Sequence, residues 1–574
     1  MKELSEGKRT ETRTIKKSNG ETAKTHEEEI GRWREHSEES ILSCPEPTTH
    51  IDDAEWKEDI DEIELEKGDI REDEVEKAIK SLKSGKAAGK DRIQPELLKF
   101  GGDVMVKQLT QLCNNVWTTG KVPTAWKDGI IIPIPKKGDL GECANWRGIT
   151  LLSIPGKVMA TIILNRMRTA LDTKLRQEQA GFRPGRSCCE QIFTLRQIIE
   201  KTLAWQTPVL INFVDFRKAF DSIHRESLWK IMRQYGIPDK ITDIIRSFYD
   251  GSRCAVRYGG EIGEWFEIVT GVRQGCVLSP MIFAIVVDWV MRRATKDGHT
   301  GLKWVEEDRL KDLDFADDIA LLDSTWNGMK ELTSNVQTEA AKVGLTINAE
   351  KTKIMKIGKW QDTDSIMIEG KEIEMVESFC YLGSLIRSDS SCDNEIKTRI
   401  GKANAAFGRL EKIWKDNGYS LKIKIRLYEA VVMSILLYGL EIWSMTVANR
   451  KRLEAAHHRW LRRILHISWR DKITNKAIRE KTGQEKLEDN IRGRRLRWMG
   501  HVARMDEERR AIQAMKWTPE GRRGRGRPRK NWAETIREDL QCMELSWNEA
   551  IGLAEDREEW RKCVARCADL HRMD

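Results

Sequence analysis

At 574 residues the chain is too long for a single core, and a prior of about 150 residues per domain predicts three or four units. Apolar residues make up 40% and charged residues 33%; the longest apolar runs, PMIFAIVVDWVM and AVVMSILLYGLEIW, fall short of the roughly 18–20 residues that cross a bilayer, and MKELSEGKRTETRT has no secretion-signal core, so an intracellular globular protein is expected. The net charge of +8 is local, with fourteen Lys or Arg against four Asp or Glu between Ile491 and Lys530, which points to a polyanion such as nucleic acid.

Residues 1–75 are charged, poor in apolar residues and acid-rich from Asp52 to Glu76, and read as a partly disordered linker in which only GRWREHSEESI has helical character. Val75, Ile79 and Leu82 then recur at helical spacing until Gly85 to Gly89 break the helix, and a second helix is expected from Val104 to Trp117. GKVPTAWKDGIIIPIPKKGDLGECANWRGITLLSIPGKV runs apolar strand, basic turn, apolar strand, with Lys136, Lys137 and Arg147 as candidates to line a phosphate-binding hairpin. In AGFRPGRSCCEQ, Gly and Pro make a turn carrying Arg183 and Arg186 ahead of a helix from about Cys189.

VLINFVDF reads as a buried strand with Asp215 near its carboxyl end. Just beyond it, in KAFDSI, Phe220 reads as core, Asp221 as a helix cap and His224 as structural. Helices are expected around Leu228–Tyr235 and Lys240–Tyr249. In GVRQGCVLSP, Gly271 and Gly275 make a close-approach turn, and Ser279-Pro280 start an apolar helix that runs to about Arg293. LDFADDIALL reads as two buried strands of a tight hairpin with Asp317 and Asp318 at its tip. An amphipathic helix over Met329 to Val343, a turn and short strand carrying Lys351, and SFCYLGSLI follow. From Asn394 the pattern is helical, and His457 and His458 read as packing residues on a basic helix. The tail joins Arg494, Arg495, Arg497, Arg525 and Arg527 to Trp498 and Trp532, cations for phosphates and aromatics for stacking on unpaired bases. Twelve cysteines form no CxxC pair, which argues against a zinc ribbon or a disulfide framework.

Neighbouring side chains of a regular strand point to opposite faces, so Asp317 and Asp318 reach one site only where a turn breaks the alternation. Three carboxylates from two neighbouring strands are what two divalent cations need; at about 3.5–4 Å separation such ions clamp the attacking and leaving oxygens of a phosphoryl transfer. That is the chemistry of a polymerase or a nuclease.

FVDFRKAFDSI and FADDI, with RQGCVLSP between them and YLG after them, resemble the reverse transcriptases of non-LTR (LINE-type) retrotransposons, over about Gly85 to Trp532. The resemblance implies an α+β right-hand polymerase: fingers over 76–204, a palm with a split βαβ sheet over 205–390, a helical thumb over 391–475 and a basic extension over 476–574. It implies RNA-directed DNA synthesis with two Mg²⁺ ions, or Mn²⁺, on Asp215, Asp317 and Asp318. It sets Arg147 at the incoming triphosphate, Phe220 at the sugar pocket against a 2′-hydroxyl, and Gln274 and Gly275 against the forming base pair. Arg183 and Arg186 would lie along the template, Lys351 would serve the leaving pyrophosphate, and Tyr381, Leu382 and Gly383 would grip the primer end. The implied partners are an RNA template, a DNA primer and deoxynucleoside triphosphates, with no membrane; the implied compartment is the nucleus if synthesis is target-primed, otherwise the cytoplasm. GKDRI departs from the family's Gly-Pro-Asp-Gly and puts Lys90 and Arg92 in the fingers' turn. Neither the amino-terminal apurinic-endonuclease-like domain nor the carboxyl-terminal restriction-like nuclease of the family is expected. Two rival readings are a decayed or domesticated copy that only binds nucleic acid, and a metal-dependent nuclease on the same acids, which leaves RQG and YLG unexplained.

Overall fold

Apolar periodicity folds this chain into two compact units, each assembled from separate stretches of sequence. The computed structural model describes residues 15–40, 47, 51, 61–136, 138–305, 307–361, 364–524 and 529–570. One unit takes the described parts of 1–184, 215–297 and 332–348, the other those of 185–214, 298–331 and 349–574.

In the first unit, the strand Gly129–Pro135 pairs antiparallel with Trp146–Leu151 and parallel with Arg253–Tyr258. Part of the expected linker is folded onto this sheet. Trp33, His36 and Ser37 fall on one face of the helix His26–Ser40 and are buried, and Trp33 joins Ile131, Cys254, Val256 and Phe266 in a small core. The turn that departs from the family is also well held. Lys90 reaches the fully buried carboxylate of Asp128 at 2.6 Å and lies over the Trp265 ring, while the Asp91 carboxylate accepts from the Ser153 hydroxyl at 2.6 Å. Ser153 also caps the helix Ile154–Lys174, whose first turn carries Pro155. The helix Ser279–Ala294 is buried on nearly every side. Asp288 in its middle is tolerated because the Tyr235 hydroxyl donates to it at 2.6 Å and Arg292 Nε at 2.7 Å.

The second unit is built on a sheet ordered Glu374–Met375, Lys353–Ile357, Val209–Val214, Asp318–Asp323, Asp312–Phe315. All six residues of the central strand are buried, as its continuous apolar run requires. Val209, Ile211 and Phe213 share a core with Ala320, Leu322, Met355 and Ile357 and with Ile192, Leu195 and Ile199 of the helix Cys188–Trp205. The hairpin Ser378–Tyr381 with Ser384–Arg387 follows, and then helices that include Asp393–Arg409, Val447–Ile464, Leu487–Ala503 and Trp532–Gln541. Trp414, Trp443, Trp460 and Trp560 fill the same core. Among the described residues no helix is long and apolar enough to cross a membrane.

Candidate active site

The acidic hairpin is built as its alternation predicts. Phe315 pairs with Asp318, which leaves Ala316 and Asp317 as a two-residue turn. Ala316 adopts φ +60°, a left-handed conformation that costs a residue with a Cβ about 1–2 kcal/mol and that proteins keep mainly at functional sites. The turn holds Asp317 half-buried and leaves Asp318 exposed as the first residue of its strand. Val214, the residue before Asp215, pairs with Ile319, the residue after Asp318. Among the described residues no group of three or more His, Cys, Asp or Glu side chains stands gathered for a metal ion. Fit to a cation pair therefore rests on the donors themselves, oxygen-only carboxylates of the kind hard divalent cations take.

Behind the hairpin, Gln191 Nε2 donates to Asp314 O at 2.8 Å and the Tyr381 hydroxyl donates to Leu313 O at 3.2 Å. Burial, then the charges of Asp314 and Asp318, push the Tyr381 phenol well above its ordinary value, so it acts as a neutral donor. Tyr381 is thus a buried peg beneath the acids, which corrects its expected place at the primer. Leu382, half-buried, and Gly383, exposed, form the tip of this hairpin, with positive φ at both. The tip is fixed from the helical side: the Tyr438 hydroxyl donates to Leu382 O at 2.7 Å, and Arg399 donates to Gly383 O.

In the first unit the RQG turn owes its shape to its glycines. A Cβ on Gly271 would lie 2.5 Å from Asp221 O, and one on Gly275 would lie 2.4 Å from Thr150 O. Arg273 is scaffolding, donating to Lys127 O at 2.9 Å and Phe248 O at 2.7 Å. Thr150 N–H fixes the Gln274 backbone at 2.8 Å. The Gln274 amide donates to both carboxylate oxygens of Asp221, at 3.2 and 3.1 Å. Asp221 is therefore not the expected cap; Lys218 holds that position, and Asp221 sits inside the short helix Ala219–Ser222. His224, in contrast, caps the helix Arg225–Gln234. Burial pushes the Asp221 carboxyl up to about 7, against the Gln274 hydrogen bond and the charges of Lys218, Lys136 and Arg147. Those three cations are exposed, Arg147 on the strand Trp146–Leu151 opposite Ile134. Phe220 is half-buried, stacked on Phe283 at 4.2 Å and met edge-on by Phe182 at 6.2 Å.

Several expected nucleic-acid contacts are internal instead. Arg183 is buried: it pairs with Asp172 at 2.7 Å and donates to the carbonyls of Asp172, Arg176 and Gln179. Its donors are spent on its own turn, which corrects its place on the template. Trp532 is 0% exposed; its indole donates to Glu441 O at 2.9 Å and its ring lies edge-on to Phe193. Trp498 packs on the same phenylalanine. Arg495 is 1% exposed and grips Asp539 through two bonds of 2.6 and 2.7 Å. Neither tryptophan can stack on a base and Arg495 cannot meet a phosphate, because all three lie on the buried stripe of their helices. Arg494 is half-buried beside Glu441 at 3.2 Å, while Arg497, Lys351 and Gly275 are exposed and Arg186 and Gln274 half-buried. Lys137, Arg525 and Arg527 lie outside the described residues. Sequence reasoning missed the supporting roles of Asp221, Arg273, Arg399 and Tyr438; an acid directly after Phe220 was the one available signal.

These elements make an α+β fold. Residues 134–386 match the family model described as Reverse transcriptase (RNA-dependent DNA polymerase). The chain is 25% identical over 416 residues to the RNA-directed DNA polymerase from mobile element jockey of Drosophila melanogaster, covering 69% of this chain and 44% of that protein. It is 27% identical over 393 residues to the 115 kDa protein in type-1 retrotransposable element R1DM of the same fly, covering 66% and 37%. To the Retrovirus-related Pol polyprotein from type-2 retrotransposable element R2DM it is 24% identical over 406 residues, covering 69% and 37%. The chain thus spans less than half the length of these relatives, whose names assign them to a mobile element and to type-1 and type-2 retrotransposable elements. A structure of apo telomerase from Candida tropicalis matches with a TM-score of 0.34 and 16% identity, over 54% of this chain and 62% of that one. Domains of this family use divalent metal ions, a nucleic-acid template and nucleotide substrates.

Proposed function

We propose that the chain is an RNA-directed DNA polymerase of a non-LTR retrotransposon that extends a DNA primer on an RNA template. The observation that carries this reading is the pairing of Val214 with Ile319. Asp215 directly follows Val214 and Asp318 directly precedes Ile319, which supports reading the two acids as parts of one metal site.

Asp215, Asp317 and Asp318 would hold two Mg²⁺ ions. When bound, such a pair supplies an acidified primer 3′-hydroxyl and neutralises charge on the departing pyrophosphate. Arg147, with Lys136 and Lys218 near it, offers cationic side chains to the triphosphate, the guanidinium able to take two oxygens at once. Gln274 and Gly275 lie on a turn whose backbone approaches closely, suited to the new base pair, and Phe220 is braced by Phe283 as a wall for the sugar. Leu382 and Gly383 offer a fixed tip to the primer end.

Primer extension on oligo(rA)/oligo(dT) tests this against a copy that only binds nucleic acid. dTTP incorporation by the wild type and none by Asp318→Asn supports the reading; retention of full activity by Asp318→Asn removes the metal assignment. Cleavage of labelled duplex without deoxynucleotides would favour a nuclease.

A further inference from the structure

The pair formed by Gln274 and Asp221 joins a turn that other contacts already hold. The turn that carries Gln274 is already held through its backbone by Thr150, from beneath by the buried Arg273, and by two glycines whose positions admit no Cβ. Yet the amide nitrogen of Gln274 bonds to both oxygens of a carboxylate 53 residues away in sequence. A glutamine amide has two nearly isosteric ends, one donor and one acceptor, and only its partners decide which way it faces. An ionised carboxylate accepts and cannot donate, so it takes the nitrogen end and leaves the oxygen for another group.

We propose that Asp221 is a positioning residue that locks the Gln274 amide with its oxygen free to accept a hydrogen bond from a hydroxyl or amino group of the bound nucleotide. The proposal rests on the polymerase reading and goes beyond it by fixing which end of Gln274 meets the substrate. Lys218 at the cap of the same short helix, Lys136 just after the strand Gly129–Pro135 and Arg147 on its partner strand are the charged groups that act on the Asp221 carboxylate; they favour its ionised form and burial opposes it. Protonation would make Asp221 a donor as well, and the amide could then turn over. The lock holds at high pH and loosens as pH falls through about 7.

The test uses the full chain as wild type, Asp221→Asn, Gln274→Ala and the double variant. KM and kcat for dTTP on oligo(rA)/oligo(dT) are measured from pH 6 to 8.5. An Asn can donate to the amide oxygen, so Asp221→Asn is expected to raise KM about tenfold, the worth of one hydrogen bond to a charged group, with kcat changed less than about twofold. The wild-type KM is expected to rise below pH 7 and that of Asp221→Asn to stay flat. In the Gln274→Ala background, Asp221→Asn is expected to add nothing. Full additivity, or loss of kcat with KM and its pH profile untouched, overturns the proposal. If Asp221→Asn does not fold, Asp221→Glu, which restores a carboxylate, must keep the pH-dependent KM, and a flat profile there overturns the proposal. If the wild type extends no primer, the polymerase reading falls. Titration of the four proteins with dTTP and Mg²⁺ then decides the inference alone: equal weakening in both single variants supports it, and unchanged binding, or no wild-type binding, overturns it.

Discussion

Val214 and Ile319 face each other across two adjacent antiparallel strands, and Asp215 and Asp318 are the next residues along the chain from each. The proposed reading assigns these two acids and Asp317 of the adjoining turn to divalent cations, and an ion that binds only the folded chain stabilises it. Mg²⁺ at ten times its dissociation constant is expected to stabilise the fold by about 1.4 kcal/mol. Thermal melts in MgCl2 and in NaCl of matched ionic strength check this. The wild-type Tm rises with Mg²⁺, and Asp215→Asn and Asp318→Asn remove the rise.

Gly275 sits at φ +125° with Thr150 O where a Cβ would be. Gly275→Ala therefore has to move the RQG turn, at a cost of about 1–3 kcal/mol in backbone strain. Primer extension is expected to fall at least about tenfold while circular dichroism stays close to wild type. Normal activity in this variant would show that the turn plays no part in the reaction.

Arg495 and Asp539 form a buried ion pair inside the carboxyl-terminal helices. Removing one partner strands a buried charge, so Arg495→Ala is expected to destabilise by about 3–5 kcal/mol. Replacing both, as Arg495→Met with Asp539→Leu, is expected to recover most of that loss. Arg497→Ala, at an exposed position two residues on, is expected to change stability by no more than about 0.5 kcal/mol. Urea melts of the wild type and the three variants check the order.

His457 is buried against the Tyr428 hydroxyl at 2.7 Å, and burial, then the neighbouring His458 and Arg479, push its pKa down to about 3. The folded ring is neutral while the unfolded ring takes a proton below about 6.5, so unfolding binds a proton and stability falls as pH drops from 6.5 toward 3. The slope from this group is at most about 1.4 kcal/mol per pH unit. His457→Gln is expected to flatten that part of a Tm-against-pH curve, and an unchanged curve would contradict the buried neutral ring.

The acidic hairpin was legible because strand alternation and its interruption are both local properties of LDFADDIALL, and the RQG turn because glycine marks places where a Cβ cannot fit. The role of Asp221 was not legible. An acid at the start of a short helix reads as a cap, and its partner Gln274 is chosen by the fold, not by the neighbouring sequence. The tail misled for a related reason. RRLRWMGHV puts Arg495 and Trp498 on the stripe that faces the core, and a buried arginine is tolerable only because Asp539 meets it 44 residues later. Trp33 shows the opposite error: one aromatic, backed by His36 and Ser37 at helical spacing, suffices to dock a helix in a stretch whose composition alone reads as linker.

The most direct test is single-nucleotide incorporation of dTTP on oligo(rA)/oligo(dT) by the wild type and by Asp318→Asn, an exposed position whose substitution leaves the sheet intact. The account predicts incorporation by the wild type and a loss of at least about a thousandfold in the variant, with equal Tm in the absence of Mg²⁺. Equal rates for the two proteins would contradict it.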